Sequence, residues 1–363
     1  MEDTFVEDAI LDNCWRRSWN SGKDSLKYIQ KINEVKIMKA LGLLSGGLDS
    51  TLATKLILDQ GIDVVTINFT SPFCLCSRGG CGAVEVAKKF NIPIKIVKKG
   101  EDYLRIIRNP KHGYGKNMNP CIDCRIYTLK KAKKYAKQIG ASLIFTGEVL
   151  DERPMSQHMR ALKIIEKESG LKGKILRPLS AKLLPETYAE KKGWVNREKF
   201  LDIRGRGRKP QIELAKNLKI NDYPCPSGGC LLTYKEFADK VRDLFKHKKK
   251  VDIKDIELLK IGRHFRFNKN KIIVGRNENE NKQLLKMKKK DDYYFEIPDF
   301  MGPITILQGP KTKKSIERAS GLTIRYSDSK EKNVLIKFGK EKLNKSIIIK
   351  PLSEEDIEKM RIR

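Results

Sequence analysis

The sequence predicts an α/β protein: a doubly wound parallel sheet of Rossmann-like character, followed by a smaller, basic α+β domain. Three observations carry this. Short apolar runs alternate with helix-period segments between Met38 and about residue 147, the pattern of βα units in a parallel sheet. A glycine-rich turn joins the first apolar run to the first helical segment. Beyond residue 240 the alternation gives way to a basic run at 246–250 and to short segments that read as strands and turns.

Taken in order, 40–44 reads as a strand and 50–59 as a helix ended by Gly61. A strand at 63–69, a helix at 83–90 and a third strand at 92–97 follow. An amphipathic helix at 125–139 carries lysines on its outer face, and 142–147 is a fourth strand. Such sheets bind ligands outside the carboxyl ends of their strands. The expected organisation is an N-terminal extension (1–37), a nucleotide-binding domain (38–240) and a basic domain (241–363). In the later segment, 264–267, 271–274 and 293–297 read as strands, with Phe265 and Phe267 on the core side. The extension holds Ser21-Gly22-Lys23-Asp24-Ser25, which looks like a phosphate loop. The stretch before it, Cys14-Trp15-Arg16-Arg17-Ser18-Trp19, makes a poor buried strand, so that loop reads as a decoy.

The 363 residues, 39% hydrophobic and 33% charged, suffice for a real core. Lysine and arginine number 76 against 45 acidic residues, a formal charge of +31 that suits a polyanionic partner. Residues 241–363 hold 32 basic and 18 acidic side chains, so both halves share the surplus. No apolar run reaches 18 residues and no signal pattern opens the chain, so the expectation is a cytoplasmic protein without a membrane partner. Eight cysteines in that setting point to metal or redox chemistry rather than a disulfide framework. The four histidines, His112, His158, His247 and His264, form no ligand spacing.

Strand 40–44 runs into Ser45-Gly46-Gly47-Leu48-Asp49-Ser50-Thr51, which opens a helix. Two glycines let backbone N–H groups approach a phosphate, and the helix aims its positive end at the same anion. Ser45 and Ser50 offer hydroxyl donors, and Asp49 can help position a metal ion. No lysine follows the glycines, so transfer of a terminal phosphate is not indicated. The string SGGLDS after a strand resembles the signature of the PP-loop ATP pyrophosphatases. That resemblance implies cleavage of ATP between its α and β phosphates and adenylation of a carbonyl oxygen, with Mg²⁺ assisting.

Two cysteine pairs fall in predicted loops. Asn119-Pro120-Cys121-Ile122-Asp123-Cys124 precedes the 125–139 helix, and Cys225-Pro226-Ser227-Gly228-Gly229-Cys230 lies about 100 residues on. A thiol at a helix N-terminus is biased toward thiolate, the form that attacks and that binds metal. The first segment, with Cys124, and the second, with Cys230, resemble the paired cysteine segments of tRNA-specific 2-thiouridylases. The wider likeness extends to 4-thiouridine synthases. It implies that Asp49, Cys124 and Cys230 are catalytic, and that Thr146-Gly147-Glu148 and Arg177-Pro178-Leu179 stand where the family has its TGH and PL segments. Glu148 departs from the family's histidine, and Cys121 and Cys225 are extra.

The CxxC with a distant cysteine also resembles the three-thiolate set that holds a [4Fe-4S] cluster in iron–sulfur thiolation enzymes. Zinc on Cys121, Cys124, Cys225 and Cys230 is the structural alternative, and a persulfide relay needs no metal; spacing does not separate the three. Cys74, Cys76 and Cys81 form a third group after the second strand, at the carboxyl end of the sheet, where they could bind a separate metal, carry sulfur or be spare thiols. In the basic domain, Ile272-Ile273-Val274-Gly275-Arg276-Asn277 resembles the core of the NFACT-R type RNA-binding module. The likeness makes Arg276 and Asn277, with Arg266, RNA contacts, and His264 and Lys269 would extend that surface.

Together these features lead to the expectation of an ATP-dependent tRNA thiolation enzyme. It would bind ATP through 45–51 with Thr146 and Gly147, and take sulfur from sulfide or a persulfide-carrying protein. Rival expectations are a PP-loop enzyme acting on a small molecule and a non-catalytic RNA- or metal-binding protein. Which uridine is modified, O2 against O4, and the oligomeric state stay open.

Overall fold

The computed structural model describes residues 38–75, 82–221, 223 and 229–362. The N-terminal extension, its decoy loop, Cys76, Cys81 and Cys225 lie outside them. The first apolar runs form β1 (Lys39–Leu43), β2 (Asp63–Thr70), β3 (Ile94–Lys98), β4 (Leu143–Thr146) and β5 (Ile175–Leu176). They make one parallel sheet in the order β3-β2-β1-β4-β5. Helices α1 (Leu48–Leu58), α2 (Gly82–Lys89), α3 (Glu101–Arg108), α4 (Cys121–Gln138) and α5 (Met159–Ser169) occupy the crossovers. The strand order reverses at β1, between β2 and β4, so ligand space opens beside the end of β1.

The core of this layer is aliphatic. Leu41, Ile67, Leu129, Ile144 and Ile165 meet between the sheet and α4 and α5. α4 begins four residues earlier than the amphipathic pattern predicts. Asp123 caps the preceding loop by accepting N–H bonds from Lys111 (3.1 Å) and His112 (3.0 Å). Both cysteines of the CxxC are therefore helical. A short helix, α6 (Lys209–Asn217), packs on α1 and carries Arg208 at its start.

α7 (Lys235–His247) and α8 (Ile253–Leu258) lead to an antiparallel sheet of six strands in the order β11-β10-β8-β9-β7-β6. These are β6 (Arg263–Phe267), β7 (Asn270–Val274), β8 (Tyr293–Glu296), β9 (Thr305–Gln308), β10 (Val334–Gly339) and β11 (Lys345–Ile349). α9 (Glu278–Met287), α10 (Lys313–Arg325) and α11 (Glu354–Met360) complete this part. Phe265, Ile272, Phe295, Leu322 and Ile336 pack on the face under α10. Leu258, Ile273, Leu284 and Ile306 pack on the other. Burial on both faces removes the simple in–out alternation of an open sheet. It also corrects one expectation. His264 does not extend a surface: it is buried, with Nε2 2.7 Å from the Ile261 carbonyl, and burial holds its ring far below the ordinary histidine pKa. Phe265 is buried as expected, and Lys269 is exposed.

Candidate active site

Four strand ends deliver the site. β1 ends in the phosphate loop, β2 leads to Cys74, β3 to Lys99, and β4 to Gly147 and Glu148. In the loop, Gly46 adopts φ +80°, and a Cβ there would stand 2.3 Å from the Ala83 backbone nitrogen. Gly147 presses against the start of α1, where a Cβ would lie 2.5 Å from Ser50 Cα. Both positions therefore demand glycine, one for conformation and both for space.

Gly47 caps α1 and supplies no side-chain bond to its first turn, whose N–H groups open the helix at the strand ends. Leu48 is fully buried and offers only its backbone. Ser50 Oγ accepts the Ser45 N–H (3.2 Å), lies 3.0 Å from Ser45 Oγ and donates to the Gly47 carbonyl (3.0 Å). Thr51 Oγ1 donates to the same carbonyl (3.0 Å). The hydroxyls of Ser50 and Thr51 thus shape the loop.

Asp49 sits beside Arg208, 3.6 Å from its guanidinium, which also binds Glu152 at 2.9 Å. Burial raises the Asp49 carboxyl above its ordinary range, against the pull of Arg208 and Arg153. Its Oδ1 and both amide atoms of the fully buried Gln211 have no hydrogen-bond partner of good geometry, although the Gln211 amide lies close enough to favour the carboxylate. Orphaned buried polar atoms beside a phosphate loop fit a bound cation or polar ligand.

Thr146 and Glu148 turn inward. Glu148 is buried and held by Arg125 (Nε 2.8 Å) and Arg177 (Nε 3.0 Å), and Thr146 Oγ1 donates to it at 3.1 Å. Burial alone would raise the Glu148 carboxyl, but the two guanidinium groups bring it down to about 2. Arg177 also reaches Glu166. This hub fastens β4, β5, α4 and α5 together behind the loop.

The thiols gather at the neighbouring strand ends. Cys124, in the first turns of α4, receives hydrogen bonds from Lys99 Nζ and Tyr103 OH, each at 3.0 Å. Burial pushes its thiol up, yet Lys99, the Tyr103 hydroxyl and Arg125 together hold it below the ordinary value. Lys99 Nζ also lies 4.7 Å from the Tyr103 ring centroid. Cys230 is pushed up to about 12 by burial, with Cys124, Cys74 and Cys121 adding to the effect. Burial, then Cys124, raises the Cys121 thiol. The surroundings thus favour the thiolate of Cys124, whereas burial disfavours that of Cys230 and of Cys121.

The structure brings Cys121, Cys124 and Cys230 into one neighbourhood. Cys225, the fourth expected ligand, lies outside the described residues. Among the described residues no group of three or more His, Cys, Asp or Glu is placed to hold a metal ion. Lys99, Tyr103, Arg208, Gln211 and Cys74 belong to this neighbourhood and were not singled out as site residues from sequence. A strand-end position was the available signal for Lys99, and the same signal had set Cys74 at the carboxyl end of the sheet without choosing its role.

The residues expected to contact RNA are engaged within the fold. Arg266 forms a two-pronged pair with Asp243 (Nε 2.9 Å), leaving its side chain 17% exposed. Arg276 pairs with Glu280 through Nε (3.0 Å to each oxygen) and stays 45% exposed. Asn277 caps α9 by accepting the Glu280 N–H at 3.0 Å. Among the described residues, no helix is long and apolar enough to cross a membrane.

Residues 36–182 match the family model of the thiamine biosynthesis protein (ThiI), and residues 262–361 match that of the NFACT protein RNA binding domain. A tRNA-specific 2-thiouridylase MnmA of Clostridium acetobutylicum is 37% identical over 123 residues, 29% of this chain and 34% of that protein. A probable tRNA sulfurtransferase of Thermococcus kodakarensis is 28% identical over 151 residues, 39% of this chain and 36% of that protein. The chain thus spans about a third of the length of these curated relatives. A crystal structure of a 4-thiouridine synthetase–RNA complex with bound ATP aligns at TM-score 0.33 and 21% identity, over 61% of this chain and 52% of that one. Two successive segments of the chain thus match separate family models.

Proposed function

We propose that this chain is an ATP-dependent tRNA sulfurtransferase. It adenylates a uridine carbonyl oxygen, releases pyrophosphate, and replaces that oxygen with sulfur. The observation that carries the reading is Cys124, whose sulfur accepts hydrogen bonds from Lys99 and Tyr103 on the strand-end edge that also holds the phosphate loop. The ThiI-family match over the same segment, and relatives named for tRNA thiolation, support it.

In this reading the α1 N-terminus and Gly46–Gly47 backbone cradle the phosphates of ATP. The uracil oxygen attacks the α-phosphorus and pyrophosphate leaves with the bonding electrons. A sulfur nucleophile then attacks the activated carbon, and AMP departs with the former uracil oxygen. Asp49, with its orphaned Oδ1, is the carboxylate that would hold Mg²⁺, which would neutralise charge on the leaving pyrophosphate. Lys99 and Tyr103 hold the sulfur of Cys124 in place and favour its thiolate form. The NFACT-type domain and the exposed lysines around it hold the tRNA by its backbone.

The hydrogen bonds at Cys124 favour a sulfur carried on a cysteine. A second reading, a [4Fe-4S] cluster or zinc on Cys121, Cys124, Cys225 and Cys230, draws on the proximity of the three described thiols. Metal analysis of protein purified without oxygen separates them. About four irons and four sulfides per chain, lost in Cys121→Ala, select the cluster; zinc alone selects a structural site; no metal selects the cysteine carrier. For the reaction itself, the test is pyrophosphate release from ATP on adding unmodified tRNA. Release that is indifferent to tRNA would return the reading to a small-molecule substrate.

A further inference from the structure

Beyond the expected catalytic pair, the geometry points to a second partner for Cys230. We propose that Cys74 and Cys230 are a cross-strand redox pair that closes to a disulfide by exchange with a low-molecular-weight disulfide and reopens with a dithiol.

The case rests on backbone register. Cys74 and Cys230 stand directly opposite each other in an isolated antiparallel bridge. Two hydrogen bonds flank the pair: Leu75 N–H donates to the Gly229 carbonyl (3.2 Å), and Leu231 N–H donates to the Phe73 carbonyl (2.8 Å). Bonds at the flanking residues, with none between the paired ones, define a non-hydrogen-bonded pair. Such pairs bring their Cα atoms to about 4.5 Å, with side chains close. A disulfide needs a Cα separation of roughly 4.4–6.8 Å, so this register falls within range at its short end.

The frame is firmly held. Phe73 and Leu232 are buried in the cluster that also contains Tyr103 and Phe237. Gly229 lies so close to Leu75 that a Cβ would stand 2.3 Å from Leu75 Cδ1. Both thiols are half-buried, so a small reactant reaches them while the backbone stays fixed. Cys124 lies in the same neighbourhood, but its sulfur is already directed by Lys99 and Tyr103 and it faces Cys230 through no backbone register.

The chemistry balances without any group absent from the pair and its reactant. A thiolate of the pair attacks RSSR, forming a mixed disulfide and expelling RS⁻. The second thiol, losing its proton to solvent, displaces the other RS⁻ and forms the Cys74–Cys230 bond. The two cysteine sulfurs are oxidised and RSSR is reduced to two thiols; an external dithiol reverses the process. The consequence rests on the proposed function: oxidation withdraws Cys230 from sulfur chemistry and pins residues 73–75 to residues 229–231.

The test uses the full chain with oxidised glutathione and needs neither ATP nor RNA. Remaining thiols are alkylated, the protein is digested without reduction, and linked peptides are identified by mass. The expected product joins Cys74 to Cys230, persists in Cys124→Ser and disappears in Cys74→Ser. A Cys124–Cys230 link instead, or alkylation of both Cys74 and Cys230, overturns the proposal. Sulfur transfer provides a second readout: oxidation should cut it about tenfold or more in the unaltered chain and less than about twofold in Cys74→Ser, on the ordinary behaviour of reversible disulfides. If the link forms but no thiolation is ever detected, the functional reading fails and the redox pair stands.

Discussion

The strand-end edge of the parallel sheet and the basic surface of the antiparallel-sheet domain carry motifs of similar legibility, yet the fold treats them differently. At the first, buried polar groups are gathered and left without partners of good geometry: Oδ1 of Asp49 and the amide of Gln211. At the second, Arg266, Arg276 and Asn277 are committed to Asp243, Glu280 and a helix cap. The lesson is that a motif residue can act on a ligand only to the extent that its own fold leaves it unspent. Lys269, Lys286, Lys313 and Lys314 are exposed, and under the proposed function their contribution to holding RNA would be electrostatic.

The contrast can be broken in order of expected effect. Glu148→Ala should be the most damaging, because it takes from the buried Arg177 one of its two carboxylate partners, leaving only Glu166, and releases Arg125. Breaking one side of a buried pair costs about 3–5 kcal/mol, read as a lower denaturant midpoint. Its acid dependence has a definite sign. With a folded pKa near 2 against an ordinary 4.5, Glu148 contributes stability that is complete above pH 4.5 and fades as the pH falls toward 2. In Glu148→Gln that part of the acid transition should vanish; an unchanged profile would contradict the hub.

Asp49→Ala comes next. It should lower tRNA-dependent pyrophosphate release about 100-fold, roughly 2.7 kcal/mol of transition-state stabilisation, with tRNA retention on a filter unchanged. Equal loss of both would erase the division between the two regions. Lys99→Met should then raise the pH at which Cys124 is alkylated and slow its modification at neutral pH about tenfold, since the chief opposing charge is gone. An unshifted pH profile would mean that Lys99 does not hold the thiolate.

Smallest should be the effects at the basic face. Arg266→Ala is expected to cost about 1–3 kcal/mol of stability by leaving Asp243 without its charged partner, with little change in tRNA affinity. Lys313→Ala should leave stability alone and reduce the salt slope of tRNA binding by about one unit. The reverse pattern would restore Arg266 as a direct RNA contact.

Much of the first region was legible because its signals are local. The Ser45–Thr51 loop, the strand before it and the helix after it are contiguous, and the CxxC sits at a helix start that sequence located within a few residues. What escaped was long-range. Lys99 is one lysine among many until β3 ends beside α4, and Gln211 meets Asp49 only because α6 packs on α1. Cys74 belonged to a glycine-rich cluster without a role until strand register set it opposite Cys230. His264 was misread because period-two alternation assumes one wet face, and this sheet is covered on both.

The most direct test of the central claim is nucleoside analysis by mass spectrometry of unmodified tRNA incubated with the chain, ATP, Mg²⁺ and a sulfur donor. The account predicts a thiouridine that appears in step with pyrophosphate and is absent with Cys124→Ser. Pyrophosphate release without any thiolated nucleoside, or thiouridine formed undiminished by Cys124→Ser, would contradict it.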